Sequence, residues 1–272
     1  MKKTKLAGEI LGDVVGSVYE FDNIKTKEFP LFGKYCMFTD DTVLTLAVAK
    51  SLCETDAHKD IEDFKKRLVY NMHLLGHEYP DAGFGGRFMN WLETGNKEPY
   101  NSCGNGSAMR VSPVGWYAES LEEAEALATA SAEVTHNHPE GIKGAVSVAG
   151  AIYLARTGVG KKEIYEYCKK FYNLDFTLDE IRPTYYFVET CQESVPQALV
   201  AFFESESFED AIRNAISIGG DSDTIAAITG SIAEAFYGID EDLEEAALSY
   251  LDERLLNIVD LFADKIRDTQ NR

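Results

Sequence analysis

The chain is short of positive charge: 26 Lys and Arg stand against 46 Asp and Glu in 272 residues, a formal net charge of −20. A surface of that sign repels phosphate backbones and anionic lipid, so neither nucleic acid nor a membrane surface is expected as a partner. Cysteine is scarce as well. Cys36, Cys53, Cys103, Cys168 and Cys191 are an odd, scattered set without a CxxC or other zinc spacing, which excludes a disulfide framework and predicts free thiols in a reducing compartment. No apolar run approaches the ~20 residues that span a bilayer. Met1-Lys2-Lys3 begins as a signal peptide does, but Glu9 and Asp13 interrupt the apolar segment that would have to follow. Proline is rare, and no Pro/Ser linker, charge block or internal repeat divides the sequence. With 45% hydrophobic residues the chain can bury a continuous core, which excludes disorder. The expectation is one cytoplasmic all-α domain spanning residues 1–272, its oligomeric state left open.

What the sequence does have is acidic residues in unusual places. Thr39-Asp40-Asp41-Thr42 and Asp221-Ser222-Asp223-Thr224 each set two carboxylates among hydroxyls, and each runs directly into an apolar, Ala-rich segment. Ionised carboxylates taken out of water cost several kcal/mol each unless they are paired or bind a metal, and neither stretch contains Lys or Arg. Hard oxygen donors of this kind suit Mg²⁺, Mn²⁺ or Ca²⁺. The fold is therefore expected to bring the two stretches together around one or two divalent cations.

The elements follow from periodicity. Leu6 to about Phe21 reads as a helix with Ile10, Leu11, Val14 and Val18 on one side and Gly12, Asp13, Gly16 and Glu20 on a neighbouring stripe that something must approach closely. Residues 22–37 form a loop, read as a mobile flap. Thr39 is a helix N-cap before the almost wholly apolar Val43–Leu52. An amphipathic helix over Asp60–Leu75 ends at Gly76, and Leu121–Val134 leads to Thr135-His136-Asn137-His138-Pro139, where Pro139 fits the first turn of a helix that reaches Gly158. His136 and His138 lack a third zinc ligand and read as capping or ligand-contacting histidines. Further helices are predicted over Lys161–Tyr172, Val195–Glu204, Phe208–Ile218, Ile225–Phe236 and, as one or two, Leu243–Ile266. Residues 182–188 are extended loop. The glycine-rich Pro80–Gly86 is no Walker loop, and Pro99–Arg110 is rich in small residues just before a helix, where backbone N–H groups can form an anion nest.

Gly12-Asp13-(x2)-Gly16-(x3)-Glu20, Phe38-Thr39-Asp40-Asp41-Thr42, Gly104-Asn105-Gly106-Ser107-Ala108-Met109-Arg110, Thr135-His136 and Gly219-Gly220-Asp221-Ser222-Asp223-Thr224 occur in this order. In them the chain resembles the ADP-ribosylglycohydrolases, the family of the dinitrogenase reductase-activating glycohydrolase and the ADP-ribosyl-acceptor hydrolases, from about Leu6 to Gly238. The resemblance implies a compact all-helical fold holding two Mg²⁺, or Mn²⁺ in some members. By residue match, Thr39, Asp40 and Asp41 would supply one half of the metal cluster and Asp221, Asp223 and Thr224 the other. Glu20 matches a glutamate near the metals on a flap that shields the site. Gly83, Phe84 and Gly85, then Ser102, Gly104, Asn105 and Gly106, match segments around the ADP-ribose, and His136 a contact on the phosphate side. Cys103 stands where some members carry an aromatic residue.

The reaction so implied is metal-dependent hydrolysis at C1'' of ADP-ribose attached to a protein side chain or small acceptor, with Asp221 or Glu20 taking the proton of the attacking water. Two other classes are compatible with acidic pairs. A metal-dependent phosphohydrolase of the haloacid-dehalogenase type would need a buried strand before Asp221, whereas Gly219-Gly220 and a helix precede it. A non-catalytic ADP-ribose-binding relative would be marked by lost ligands, and all the matched carboxylates are present. The acceptor linkage, the choice between Mg²⁺ and Mn²⁺, and any role for Asp81, Cys103 and His138 are not encoded in these motifs.

Overall fold

The computed structural model describes residues 4–270, so Met1-Lys2-Lys3 lies outside the described residues. Among them the chain forms helices and no β-strand: α1 (Ala7–Gly16), α2 (Asp40–Glu54), α3 (Ile61–Glu78), α4 (Gly86–Glu93), the one-turn α5 (Gly106–Met109), α6 (Ser112–Tyr117), α7 (Leu121–Glu133), α8 (Pro139–Arg156), α9 (Lys161–Cys168), α10 (Leu178–Ile181), α11 (Cys191–Phe203), α12 (Phe208–Ser217), α13 (Ser222–Tyr237), α14 (Glu241–Leu248) and α15 (Glu253–Gln270). An isolated bridge between Gly104 and Thr190 is the nearest approach to a sheet. No described helix is long and apolar enough to cross a membrane, and all five cysteines are free.

The centre is a contact between the two ends of the sequence. α1 is buried along its whole length, and the stripe predicted to be approached closely lies against α13. A Cβ on Gly8 would fall 2.3 Å from the Gly230 carbonyl oxygen, one on Gly12 2.2 Å from that of Ala226, and one on Gly16 2.4 Å from the Asp223 Cα. The helices thus touch backbone to backbone. That contact explains why α1 carries glycines at about 1 kcal/mol each in helix propensity relative to Ala. α2 packs against α3, α6 and α15, with Val43, Leu46, Ala47, Val48 and Leu52 fully buried, as a helix apolar on nearly every face requires. α8 packs on α7, α6 and α13.

Several boundaries differ from the periodicity. α1 stops at Gly16, so Glu20 lies in the following loop rather than on a helical stripe. The Asn23 carboxamide takes the Tyr19 and Glu20 carbonyls that a longer helix would have used internally. α3 runs through Gly76 to Glu78, because the missing Cβ of Gly76 is filled by the Leu92 side chain of α4 rather than used for a stop. α9 ends at Cys168, short of Tyr172, while α11 starts at Cys191, ahead of Val195, and carries Pro196 within it. α13 starts at Ser222, which places Asp223 and Thr224 in its first turn and Asp221 at its N-cap. The C-terminal segment is two helices, broken at 249–252. The short α4, α5 and α10 were not expected, since one or two turns carry too little period to read, and the helix expected after Arg110 is the six-residue α6.

Candidate active site

Both acidic stretches reach one cavity of ≈ 290 Å³, whose lining includes Glu20, Asp40, Asp41, Asp221, Asp223 and Thr224. Helix starts deliver them. Thr39 caps α2, its hydroxyl accepting from the Asp41 N–H at 3.3 Å, and the Asp40 N–H donates to the Ala82 carbonyl at 2.8 Å. Glu20, Asp221 and Asp223 each place a carboxylate oxygen within 4.8 Å of the other two. The Thr224 hydroxyl donates to Asp41 Oδ2 at 3.0 Å, joining the two acidic stretches directly. Asp41 Oδ1 is buried and has no hydrogen-bond partner among the described residues.

Underneath sits Asp13, fully buried. It accepts from the Thr39 N–H at 2.9 Å, the Thr39 hydroxyl at 2.7 Å, the Thr42 N–H at 3.1 Å and the Thr42 hydroxyl. Asp13 therefore secures the start of α2 and leaves the Thr39 side chain committed to hydrogen bonds beneath the cavity.

This much negative charge is held at a cost. Burial, then Asp223, pushes the Glu20 carboxyl up to about 8. Burial likewise raises Asp221 to about 7, the Asn105 amide opposing it by donating to Asp221 Oδ2 at 2.6 Å. Asp40, Asp41 and Asp223 are raised well above the usual carboxylate range, by burial first and by their acidic neighbours second. Carboxylates so crowded favour protonation or a cation.

The same cavity also carries cationic side chains and a glycine turn. Gly83, Gly85, Ser102, Gly104, Asn105 and Gly106 line it together with Arg87, Tyr100, Arg110 and His136. A Cβ on Gly106 would lie 3.2 Å from His136 Nε2, so the imidazole stands directly behind the glycine turn. Arg110 is fully buried, donates from Nη2 to the Ser131 carbonyl at 3.0 Å and to the Thr135 hydroxyl oxygen at 2.9 Å, and leaves Nε and Nη1 unpaired. Burial, then Arg110 and Arg87, holds His136 well below its usual range, hence neutral. The stretch 99–110 leads only into the single turn of α5 and the six-residue α6, too short for the helix dipole expected there. The positive potential comes instead from Arg110 and Arg87.

Of the residues read from the sequence, Glu20, Asp40, Asp41, Asp221, Asp223, Thr224, Gly83, Gly85, Ser102, Gly104, Asn105, Gly106 and His136 all line the one cavity. Thr39 does not, and neither does Phe84, whose buried ring stacks on Phe88 at 5.0 Å. His138 is the N-cap of α8, accepting from the Glu140 N–H at 3.1 Å. Asp81 is exposed and Cys103 half-buried, both outside the lining. Sequence reasoning missed Arg87, Tyr100, Arg110, Glu189 and Thr190 as lining residues. A charged residue within the apolar Ala108-Met109-Arg110-Val111 was the available signal for Arg110. Glu189 and Thr190 had none, because they reach the site through main-chain pairing: the Asn105 N–H donates to the Glu189 carbonyl at 2.8 Å and the Cys191 N–H to that of Cys103 at 3.0 Å.

A single helical domain whose cavity combines a carboxylate cluster with buried arginine and a glycine turn has known counterparts. The sequence profile of the ADP-ribosylglycohydrolase family matches residues 4–272, and the chain belongs to that family. It is similar to the mouse ADP-ribosylhydrolase ARH3, 26% identical over 87% of this chain and 83% of the relative. It is also similar to the ADP-ribosylarginine hydrolase Tri1 of Pseudomonas putida, 26% identical over 87% and 70%. The ADP-ribosyl-[dinitrogen reductase] glycohydrolase of Rhodospirillum rubrum is 27% identical over 79% and 73%. Among solved structures, an ADP-ribosylglycohydrolase-related protein complex shares the fold with a TM-score of 0.71 at 23% identity, over 97% of this chain and 96% of that one.

Proposed function

We propose that the protein hydrolyses the glycosidic bond at C1'' of ADP-ribose attached to a protein side chain or small acceptor, releasing ADP-ribose, with residues 1–272 acting as one cytoplasmic domain. The observation that carries this reading is that one cavity brings a carboxylate cluster together with a glycine turn backed by Arg110 and His136. A carboxylate cluster suits a ribose diol held through cations, and the glycine turn backed by Arg110 and His136 suits an anionic pyrophosphate.

The donor set fits two Mg²⁺, or Mn²⁺: hard oxygens in a group of three within 4.8 Å, and a buried Asp41 oxygen lacking any other partner. Asp40, Asp41, Asp221, Asp223 and Thr224 would hold them. Thr39, assigned there by resemblance, contributes by fixing the start of α2. When bound, such ions neutralise the cluster, hold ribose hydroxyls and acidify water. The chain's own residues do the rest. The glycine turn at 104–106 and His136 orient the pyrophosphate. Asn105 fixes Asp221 in one orientation through its 2.6 Å hydrogen bond. Glu20 or Asp221 accepts the proton of the water whose oxygen attacks C1'', while the acceptor departs with the electrons of the broken bond.

The test is release of free ADP-ribose from a panel of arginine, serine and O-acetyl linkages, with EDTA and with added Mg²⁺ or Mn²⁺. Release from at least one linkage, lost in EDTA and restored by the ion, is expected. ADP-ribose binding without any release would assign a non-catalytic role, and release of inorganic phosphate would assign a phosphohydrolase.

A further inference from the structure

Glu20 stands on an irregular loop, yet its carboxylate keeps close register with Asp221 and Asp223. α1 ends at Gly16, so no helix holds it there. The contacts that do come chiefly from one side chain three residues further on. The Asn23 Nδ2 group is shared among the Tyr19 carbonyl at 2.6 Å, the Glu20 carbonyl at 2.9 Å and the Gly220 carbonyl at 2.9 Å. Asn23 Oδ1 accepts from the Gly220 N–H at 2.8 Å. One carboxamide therefore folds the backbone around Glu20 and also pairs, donor and acceptor together, with the N–H and C=O of Gly220, the residue immediately before Asp221.

The partner turn is built to receive it. Gly219 and Gly220 have φ of +65° and +83°, in the left-handed region that favours glycine. A Cβ on Gly219 would stand 2.9 Å from Asn23 Oδ1 and from Lys25 Nζ, and one on Gly220 2.4 Å from the Tyr185 ring. Lys25 reinforces the seam by donating to the Tyr185 carbonyl at 2.6 Å and to that of Ile218. The Ser222 hydroxyl returns to the Tyr19 carbonyl at 3.2 Å.

We propose that Asn23 is a positioning residue that sets Glu20 against Asp221 by pairing its carboxamide with the Gly220 backbone. Asn23 does not line the cavity, so it acts through Glu20. The inference rests on the hydrolase reading for its effect on turnover, whereas the contact itself can be measured without activity.

Four variants of the full chain decide it: Asn23→Ala, Asn23→Asp, Glu20→Gln, and Asn23→Ala combined with Glu20→Gln. In Asn23→Ala, amide hydrogen exchange of metal-free protein should quicken about tenfold or more at Gly220 and across residues 19–24, with α2 and α8 unchanged. Turnover should fall about tenfold or more at nearly constant ADP-ribose affinity, since misplacement of about 1 Å can cost that much. Asn23→Asp keeps the acceptor for the Gly220 N–H but sets a carboxylate oxygen against the Tyr19, Glu20 and Gly220 carbonyls, so it should lose turnover and quicken exchange across residues 19–24 as Asn23→Ala does. Added to Glu20→Gln, Asn23→Ala should cost nothing further, because residues acting as a unit are not additive. Unchanged exchange at Gly220, wild-type behaviour of Asn23→Asp, or losses that multiply in the double variant would each overturn the assignment. A wild-type protein that releases no ADP-ribose would instead defeat the hydrolase reading, leaving the exchange measurement to decide the contact.

Discussion

Glu20 is half-buried and its pKa of about 8 is set by burial first and Asp223 second, an environment unlike that of a solvated surface carboxylate. Glu20→Gln keeps the shape and removes both the base and the charge that faces the cluster. Turnover is expected to fall at least about a hundredfold, within the range general-base catalysis supplies. ADP-ribose affinity, read by calorimetry, should stay within about tenfold, or ~1.4 kcal/mol. Wild-type turnover in this variant would return Glu20 to an ordinary surface role. His136 allows a second test at the same scale. The Thr135 hydroxyl lies 2.8 Å from His136 Nδ1 and already accepts from Arg110, which can only donate, so its proton is available to Nδ1. Imidazole ¹⁵N shifts should report the Nε2–H tautomer across the neutral range, and Thr135→Val should disturb that preference. An Nδ1–H signal in the wild-type protein would exclude donation from Thr135 to His136.

The glycine faces of α1 and α13 decide whether the two acidic stretches can meet at all. Gly12→Ala places a methyl group 2.2 Å from a backbone oxygen that has no side chain to swing aside. The gain in helix propensity of about 1 kcal/mol is smaller than the ~1–3 kcal/mol or more of overpacking. A net loss of stability in urea unfolding is therefore expected, together with weakened turnover. Gly85→Ala, where a Cβ would meet nothing within 4 Å, should leave stability within about 0.5 kcal/mol. This element scale is also where sequence reading divides. The acidic helix starts were legible because carboxylates ahead of an apolar run demand compensation, and the α1 stripe because glycines in a helix demand a close neighbour. Glu20's departure from that stripe was not, since Asn23 captures the Tyr19 and Glu20 carbonyls across a turn whose hydrogen bonds leave no period. Arg87 and Glu189 were illegible for related reasons: Arg87 stands in the first turn of the two-turn α4, too short to show a period, and Glu189 reaches the cavity through the packing of a loop.

At the scale of the whole molecule, buried acids make stability depend on pH and on cations. Glu20 and Asp221 have folded-state values of about 8 and about 7, above the roughly 4 of an unfolded chain. Between those values the folded protein holds protons that the unfolded chain has released, so stability falls as pH rises. Melting temperatures in EDTA should therefore decline from about pH 5 to about pH 8. Excess Mg²⁺, binding the folded state alone, should raise and flatten the profile by mass action. A profile rising with pH in EDTA would contradict the raised carboxyl values, and one unmoved by Mg²⁺ would remove the metal from the reading. A shared cluster also predicts that Asp40→Asn, Asp223→Asn and the double variant have similar residual rates at saturating Mg²⁺. Losses that multiply would mean two independent sites.

The Gly8 N–H donates to a Glu234 carboxylate 226 positions away at 2.8 Å. A ribosome has thus to finish α13 before α1, made first, finds the surface it was shaped for. Until then Glu9, Asp13 and the α2 carboxylates wait in water, where their charges keep the nascent segment open. Closing so long a loop makes for high contact order and slow folding. A chain cut before Ser222 should emerge as a substrate for chaperones and proteases rather than as half an enzyme.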